Sequence, residues 1–259
     1  MNESVGSLKA VLGLGKREHV ALVGAGGKTS LMFALAEELQ GLGESVVTST
    51  TTKIWHREAP KSPCTIYIDQ ENAWRERLGR GLRSHGHVFL GKEILDTGKI
   101  QGISPSLLDE IYQDQGMDTL IVEADGSAGH PVKAPDNHEP VIPKSATVVV
   151  AMMGIEAIGQ PIGPETIFRM DIFNRLTGAR PGQVLTGDLL AGLFTVPEGI
   201  FKGAPDAARR VVFLNKTDIP AHKGIAQELA ALIREKASPP VDRIAMGSIK
   251  KGEYHTILP

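Results

Sequence analysis

A ten-residue stretch near the start of the chain, Val20-Ala21-Leu22-Val23-Gly24-Ala25-Gly26-Gly27-Lys28-Thr29, constrains the fold more than any other. A short apolar run ends in glycines and a Lys-Thr pair, after which Leu31, Leu35 and Leu39 recur every four residues. The run reads as a buried strand and the spacing of four as one helix face, so the glycines occupy a strand-to-helix turn. Glycine lets the backbone aim its N–H groups at phosphate oxygens, and the helix that follows adds the positive end of its dipole. Gly24, Ala25, Gly26, Gly27, Lys28, Thr29 and Ser30 therefore form a candidate nucleotide phosphate loop. In it Lys28 reaches the outer phosphates and the Thr29 hydroxyl a Mg2+ ion.

The rest of the chain narrows the class. At 259 residues, 41% of them hydrophobic, it can bury the core of one large α/β domain. A net charge of −2 offers no basic footprint for nucleic acid, and no lysine block suggests a membrane surface. One cysteine, Cys64, rules out an internal disulfide and fits a reducing, cytoplasmic compartment. The longest apolar run, residues 146–154, is about half a membrane span. The expected partners are a nucleotide and other proteins, with the oligomeric state left open.

Apolar runs and helical periodicities alternate along the sequence. Strands are expected at residues 45–49, 65–69, 87–90, 118–125, 147–153, 210–214 and 241–246. Helices are expected at 70–82, after the Ser104-Pro105 cap, at 164–177, at 187–196 and at 220–236. This alternation implies a three-layer α/β fold of the P-loop NTPase type, with a mostly parallel sheet. The whole chain, 1–259, reads as a single P-loop domain with a helical insertion at about 155–208. A proline-rich stretch through Pro131, Pro135, Pro140 and Pro143 is too long to be mere connection.

Three further groups carry chemistry. Glu123 and Asp125 end an apolar strand, and they face Lys28 and Thr29 if the two strands are near neighbours. One acid would then hold the Mg2+ and the other orient a nucleophile, in either assignment. Thr51 and Lys53, in Thr50-Thr51-Thr52-Lys53 at the end of the second strand, would supply a further Mg2+ ligand and a positive charge for the transferred phosphoryl group. Asn215-Lys216-Thr217-Asp218 follows a strand in the N-K-x-D form. An ionised Asp218 accepts only, so it can bind the N1–H and the exocyclic amine of guanine together, a donor pair adenine lacks. Lys216 would cover the base and Asn215 tie the loop. GTP is therefore expected over ATP. In the long loop, Lys133, His138 and Glu139 are candidate contacts for a substrate or client.

The phosphate loop is shorter than G-x-x-x-x-G-K-[ST], whose first glycine would fall at Leu22, and it resembles the G-x-x-G-K-[TS] loop of the Mur ligase and folylpolyglutamate synthase families. That likeness keeps an ATP-dependent kinase or ligase-like enzyme, activating a small substrate, as the alternative. Nearly the whole chain resembles the YqeC family. The shared motifs are the phosphate loop, Thr50-Thr51-Thr52-Lys53, Glu123-Ala124-Asp125-Gly126-Ser127, Pro131-Val132-Lys133-Ala134-Pro135 and His138-Glu139-Pro140-Val141-Ile142-Pro143. Gly154-Ile155-Glu156-Ala157-Ile158-Gly159, Pro197-Glu198-Gly199 and Asn215-Lys216-Thr217-Asp218 extend the match. Phe168 stands where the family has a histidine. The resemblance implies an accessory or maturation factor for molybdenum hydroxylases that carry labile selenium. It makes a Mg2+-dependent nucleoside triphosphatase acting on a client hydroxylase the leading expectation.

Overall fold

The structure is a computed structural model that describes residues 6–56, 62–114 and 116–257. In chain order its elements begin with α1 (Leu8–Leu12), β1 (Glu18–Gly24), α2 (Lys28–Gly41), β2 (Val46–Thr50), β3 (Ile54–Trp55), β4 (Thr65–Tyr67) and α3 (Trp74–His85). There follow β5 (His87–Gly91), β6 (Glu93–Ile94), β7 (Lys99–Gln101), α4 (Pro105–Gln113), β8 (Thr119–Glu123), β9 (Val132–Lys133) and β10 (Val148–Gly154). The last third comprises β11 (Ile167–Phe168), α5 (Met170–Thr177), α6 (Gly187–Ala191), β12 (Arg209–Asn215), α7 (Pro220–Lys236), β13 (Arg243–Ser248) and β14 (Glu253–Ile257).

Nine strands form one sheet in the order β4-β5-β2-β8-β1-β10-β12-β13-β14, parallel throughout except for the last pair. Every residue of β1, β2, β5, β8 and β10 is buried, as expected of parallel strands covered on both faces. Alternation along β1 shows the layers. Val20 and Leu22 pack with Leu31, Met32, Leu35 and Leu39 of α2. Ala21 and Val23 point the other way, into a core with Phe173 of α5, Leu190 of α6 and Leu229 and Ile233 of α7. Nearer the β4 edge, Leu120 and Val122 of β8 meet Leu78 and Leu82 of α3 and Leu108 and Ile111 of α4. The result is the three-layer α/β sandwich anticipated from the sequence.

Several elements differ from the sequence reading, each for a physical reason. The helix expected at 164–177 begins only at Met170, because Arg169 takes a left-handed φ of 63° and Ile167–Phe168 pairs in parallel with Val132–Lys133. The helix expected at 187–196 is α-helical only to Ala191 and tightens into a 3-10 turn at Gly192–Phe194. The helix expected at 70–82 is shifted to Trp74–His85. The short antiparallel set β3-β7-β6 and the antiparallel edge strand β14 were not anticipated, since strands of two or three residues carry almost no periodic signal and Glu253–Ile257 has no apolar run.

Candidate functional site

The loop after β1 owes its shape to its glycines. Gly24, Gly26 and Gly27 have φ values of 90°, 83° and 120°, which L side chains rarely adopt. A Cβ on Gly26 would also collide with the backbone of Gly154, and one on Gly24 with that of Met152. The loop is tied down by Ala25 N–H donating to the Met152 carbonyl (2.9 Å) and Gly26 N–H to the His130 carbonyl (3.0 Å). Gly24 N–H donates to Asp125 Oδ2 at 3.0 Å. Gly24 and Ala25 therefore shape the turn from behind, and the cleft is lined from Gly26 through Ser30. Gly27 caps α2 without a side-chain hydrogen bond. The first N–H groups of α2 have no intrahelical partner and are available to an anion.

β1 and β8 are adjacent and parallel, with Leu22 opposite Glu123. That register brings both acids to the loop. The Thr29 hydroxyl donates to Glu123 Oε2 at 2.7 Å. The fully buried Lys28 ammonium donates to the Gly24 carbonyl at 2.6 Å and lies 3.7 Å from Glu123 Oε1. It stands 3.1 Å from Asp125 Oδ1, an ion pair poorly aligned for a hydrogen bond. Burial by itself would lower the Lys28 pKa, but Asp125 and then Glu123 outweigh it and raise the pKa above the ordinary lysine value. Lys28 is thus a fixed cation at any physiological pH.

Behind this pair lies a second row of charges. Lys133 is buried and places its ammonium 3.0 Å from Asp125 Oδ2, 2.7 Å from the Gly126 carbonyl and 2.6 Å from Glu139 Oε2. Glu139 Oε2 also accepts from Arg169 Nη1 at 2.6 Å, and Arg169 Nε lies 3.6 Å from Asp136. Burial would raise the Glu139 pKa, but the hydrogen bonds from Lys133 and Arg169 hold it below the usual carboxylate range. Lys28, Asp125, Lys133, Glu139 and Arg169 form one continuous chain of alternating charge. His138 stays outside it, with its side chain 73% exposed.

At the other end, Asn215 is buried at the tip of β12. Its Nδ2 donates to the Gly26 carbonyl at 2.7 Å, and its Oδ1 accepts from Ile249 N–H at 3.2 Å. It thereby joins the phosphate loop to the segment after β13. Lys216 has a φ of 70° and pairs with Glu156. Asp218 is exposed and lines the same cleft as Ile219, His222 and Lys250. The cleft, about 1070 Å³, includes Lys53. Thr51 does not reach it: its hydroxyl donates to the Val141 carbonyl at 2.9 Å. Sequence reasoning missed Glu156, Trp55 and the residues 248–250 as cleft residues. The last were legible as a polar Ser-Ile-Lys directly after an apolar run, at the sheet end where the other loops gather.

A mostly parallel sheet with a glycine phosphate loop after its central strand, and the acids of the neighbouring strand beside that loop, defines an α/β protein of the P-loop NTPase type. The family model described as YqeC protein matches residues 20–171. The protein of Escherichia coli (strain K12) described as "Uncharacterized protein YqeC" is 37% identical over 241 residues, covering 93% of this chain and 91% of that protein. The chain belongs to the YqeC family. Among solved structures, it is similar to the signal recognition particle 54 kDa protein from Aeropyrum pernix K1 in complex with GDP, at 16% identity and a TM-score of 0.43 over 94% of this chain. It is also similar to chloroplast FtsY from Physcomitrella patens, at 12% identity and a TM-score of 0.47 over 98% of this chain. This chain spans 44% and 66% of those two chains, respectively. Among the described residues no helix is long and apolar enough to cross a membrane.

Proposed function

We propose that this protein is a cytoplasmic, Mg2+-dependent P-loop nucleoside triphosphatase that prefers GTP to ATP and serves as an accessory or maturation factor for selenium-dependent molybdenum hydroxylases. The observation that carries the nucleotide reading is the convergence of Lys28 and Thr29 on Glu123 and Asp125. A hydroxyl and a carboxylate 2.7 Å apart are the hard oxygen donors that Mg2+ takes when phosphates and water complete its shell. When bound, the ion would neutralise charge on the phosphoryl oxygens. Thr29 and Glu123 would hold it. Lys28 would stabilise the outer phosphates, and Asp125 keeps that lysine charged and positioned. Gly27 to Ser30 supply backbone donors, and Asp218 reads the base. The hydroxylase role is what family membership suggests.

The short loop supports a second reading, phosphoryl transfer from ATP to a small substrate. Steady-state hydrolysis of GTP and ATP, with and without Mg2+, a client hydroxylase and a selenium donor, separates the two. We expect slow, Mg2+-dependent hydrolysis that favours GTP and accelerates with the client. A phosphorylated or adenylated small product would establish the second reading, and no hydrolysis under any condition would reject the first.

A further inference from the structure

The cleft is longer than the nucleotide site. Gly26 to Ser30, residues 215–219 and residues 248–250 account for one part of its lining. The lining then continues to Lys53, Trp55 and Lys99, and to His130, Phe168 and Arg169. Its volume, about 1070 Å³, is at the upper end for a site that takes one small ligand.

The chemistry of this second part is distinct. Trp55 is 47% exposed, although a tryptophan ordinarily gains most by burying its ring. β3 pairs with β7 so that Trp55 stands opposite Lys99, whose ammonium lies 4.8 Å from the ring centroid. Lys53, two residues before Trp55, is exposed in the same cleft. Phe168 stacks at 5.4 Å on His130 and at 5.0 Å under the Arg169 guanidinium. Arg169 itself is committed to Glu139, which leaves Lys53 and Lys99 as the other cations lining this part of the cleft. A half-exposed indole with the Lys99 ammonium over its ring, in a part of the cleft that Lys53 also lines, suits a ring that can stack and an anion beside it.

We infer that this part of the cleft is a second binding site, for a flat heteroaromatic molecule carrying a phosphate, which stacks on Trp55 and gives its phosphate to Lys53 and Lys99. The inference rests on the nucleotide reading only for its neighbour; the site needs no residue of the phosphate loop.

Trp55 is itself the reporter. The chain has two tryptophans, so Trp74→Phe leaves Trp55 as the sole indole emitter. In that background flavin mononucleotide (FMN) is titrated as the probe, with riboflavin and inorganic phosphate as controls, with and without saturating GDP and Mg2+. The expected result is saturable quenching by FMN, with a Kd unchanged by GDP and unchanged in Lys28→Ala. Riboflavin, which loses both contacts, should bind ~100-fold more weakly, and Lys53→Gln and Lys99→Gln should each cost FMN ~10-fold, the value of one charge-assisted hydrogen bond. Lys53 is exposed and Lys99 half-buried, and unchanged circular dichroism would show that the variants fold. Absence of saturable quenching up to millimolar FMN would overturn the site. So would full displacement of FMN by GDP, or indifference to both lysine substitutions. If GDP fails to bind while FMN still quenches, the nucleotide reading falls and the second site stands.

Discussion

The two ends of the nucleotide cleft are built on opposite principles. At the phosphate end Lys28, Asp125, Lys133 and Glu139 are all buried, and each is held by two or more partners. At the end where the base is proposed to sit, Asp218 is exposed, and Lys216 pairs with the half-buried Glu156 at the cleft rim. Buried charges are tolerable only when fully partnered, and once partnered they cannot swing away. Exposed charges are screened and mobile, and removing one costs the fold little. The phosphate end should therefore couple binding to stability, whereas the base end should tune selectivity and leave stability alone.

The largest break in this contrast is at Lys133. Lys133→Ala removes the cation that Asp125 and Glu139 share, leaves each with one cationic partner, Lys28 and Arg169, and the buried cluster one positive charge short, and should destabilise the protein by roughly 3–5 kcal/mol in urea unfolding. A loss under ~1 kcal/mol would mean that the buried chain of charge is looser than the distances indicate.

The acid side of the pH profile sharpens it next. His19 and His87 are buried near the opposite end of the sheet, and burial lowers each pKa to about 4, against Asp109 in the case of His19. Each folded-state pKa lies below the unfolded value of 6.5. Below that pH the unfolded chain binds protons that the folded chain refuses. The stability is therefore complete above about 6.5 and is lost as pH falls toward 4, by up to ~3 kcal/mol per histidine. Over the same window Lys28 stays charged because its pKa is raised, and Glu139 because its pKa is lowered. Acid should thus lower the melting temperature through these histidines, and His87→Gln should flatten the profile.

A smaller effect is expected at the base end. Asp218→Asn removes an acceptor-only group and should weaken GTP by ~1–3 kcal/mol, leave ATP nearly unchanged and move stability by less than ~0.5 kcal/mol. Calorimetric titration of both nucleotides with the variant reads the first two and thermal unfolding the third. An equal loss for GTP and ATP would remove Asp218 from base recognition.

The phosphate loop was legible because its signal is local: strand, glycines, Lys28-Thr29 and helix lie within some twenty residues. Asn215 as a tie to that loop was legible for the same reason, being a tetrapeptide after a strand. The meeting of Glu123 with Thr29 was legible only on the premise that the two strands are neighbours, since about a hundred residues separate them. Lys133 and Glu139 read as polar contacts on a proline-rich loop. Their burial arises from Asp125 and Arg169, which other segments supply, and no local pattern encodes that. Thr51 failed as a cleft residue because its hydroxyl is taken by Val141, a partner 90 residues away. The shift of α5 reflects Arg169, whose left-handed backbone interrupts a periodicity the sequence carries unbroken.

The central claim is that Lys28, held by Gly24 and Asp125, is the phosphate-binding cation. Isothermal calorimetry of GTP with Mg2+, on the wild type and on Lys28→Ala, tests it most directly. Thermal unfolding run alongside verifies that the variant is folded at the titration temperature. The account predicts measurable binding by the wild type and a loss of ~100-fold or more in the variant, the value of a buried charge-assisted contact of about 3 kcal/mol. A folded Lys28→Ala protein that binds GTP as tightly as the wild type would contradict it.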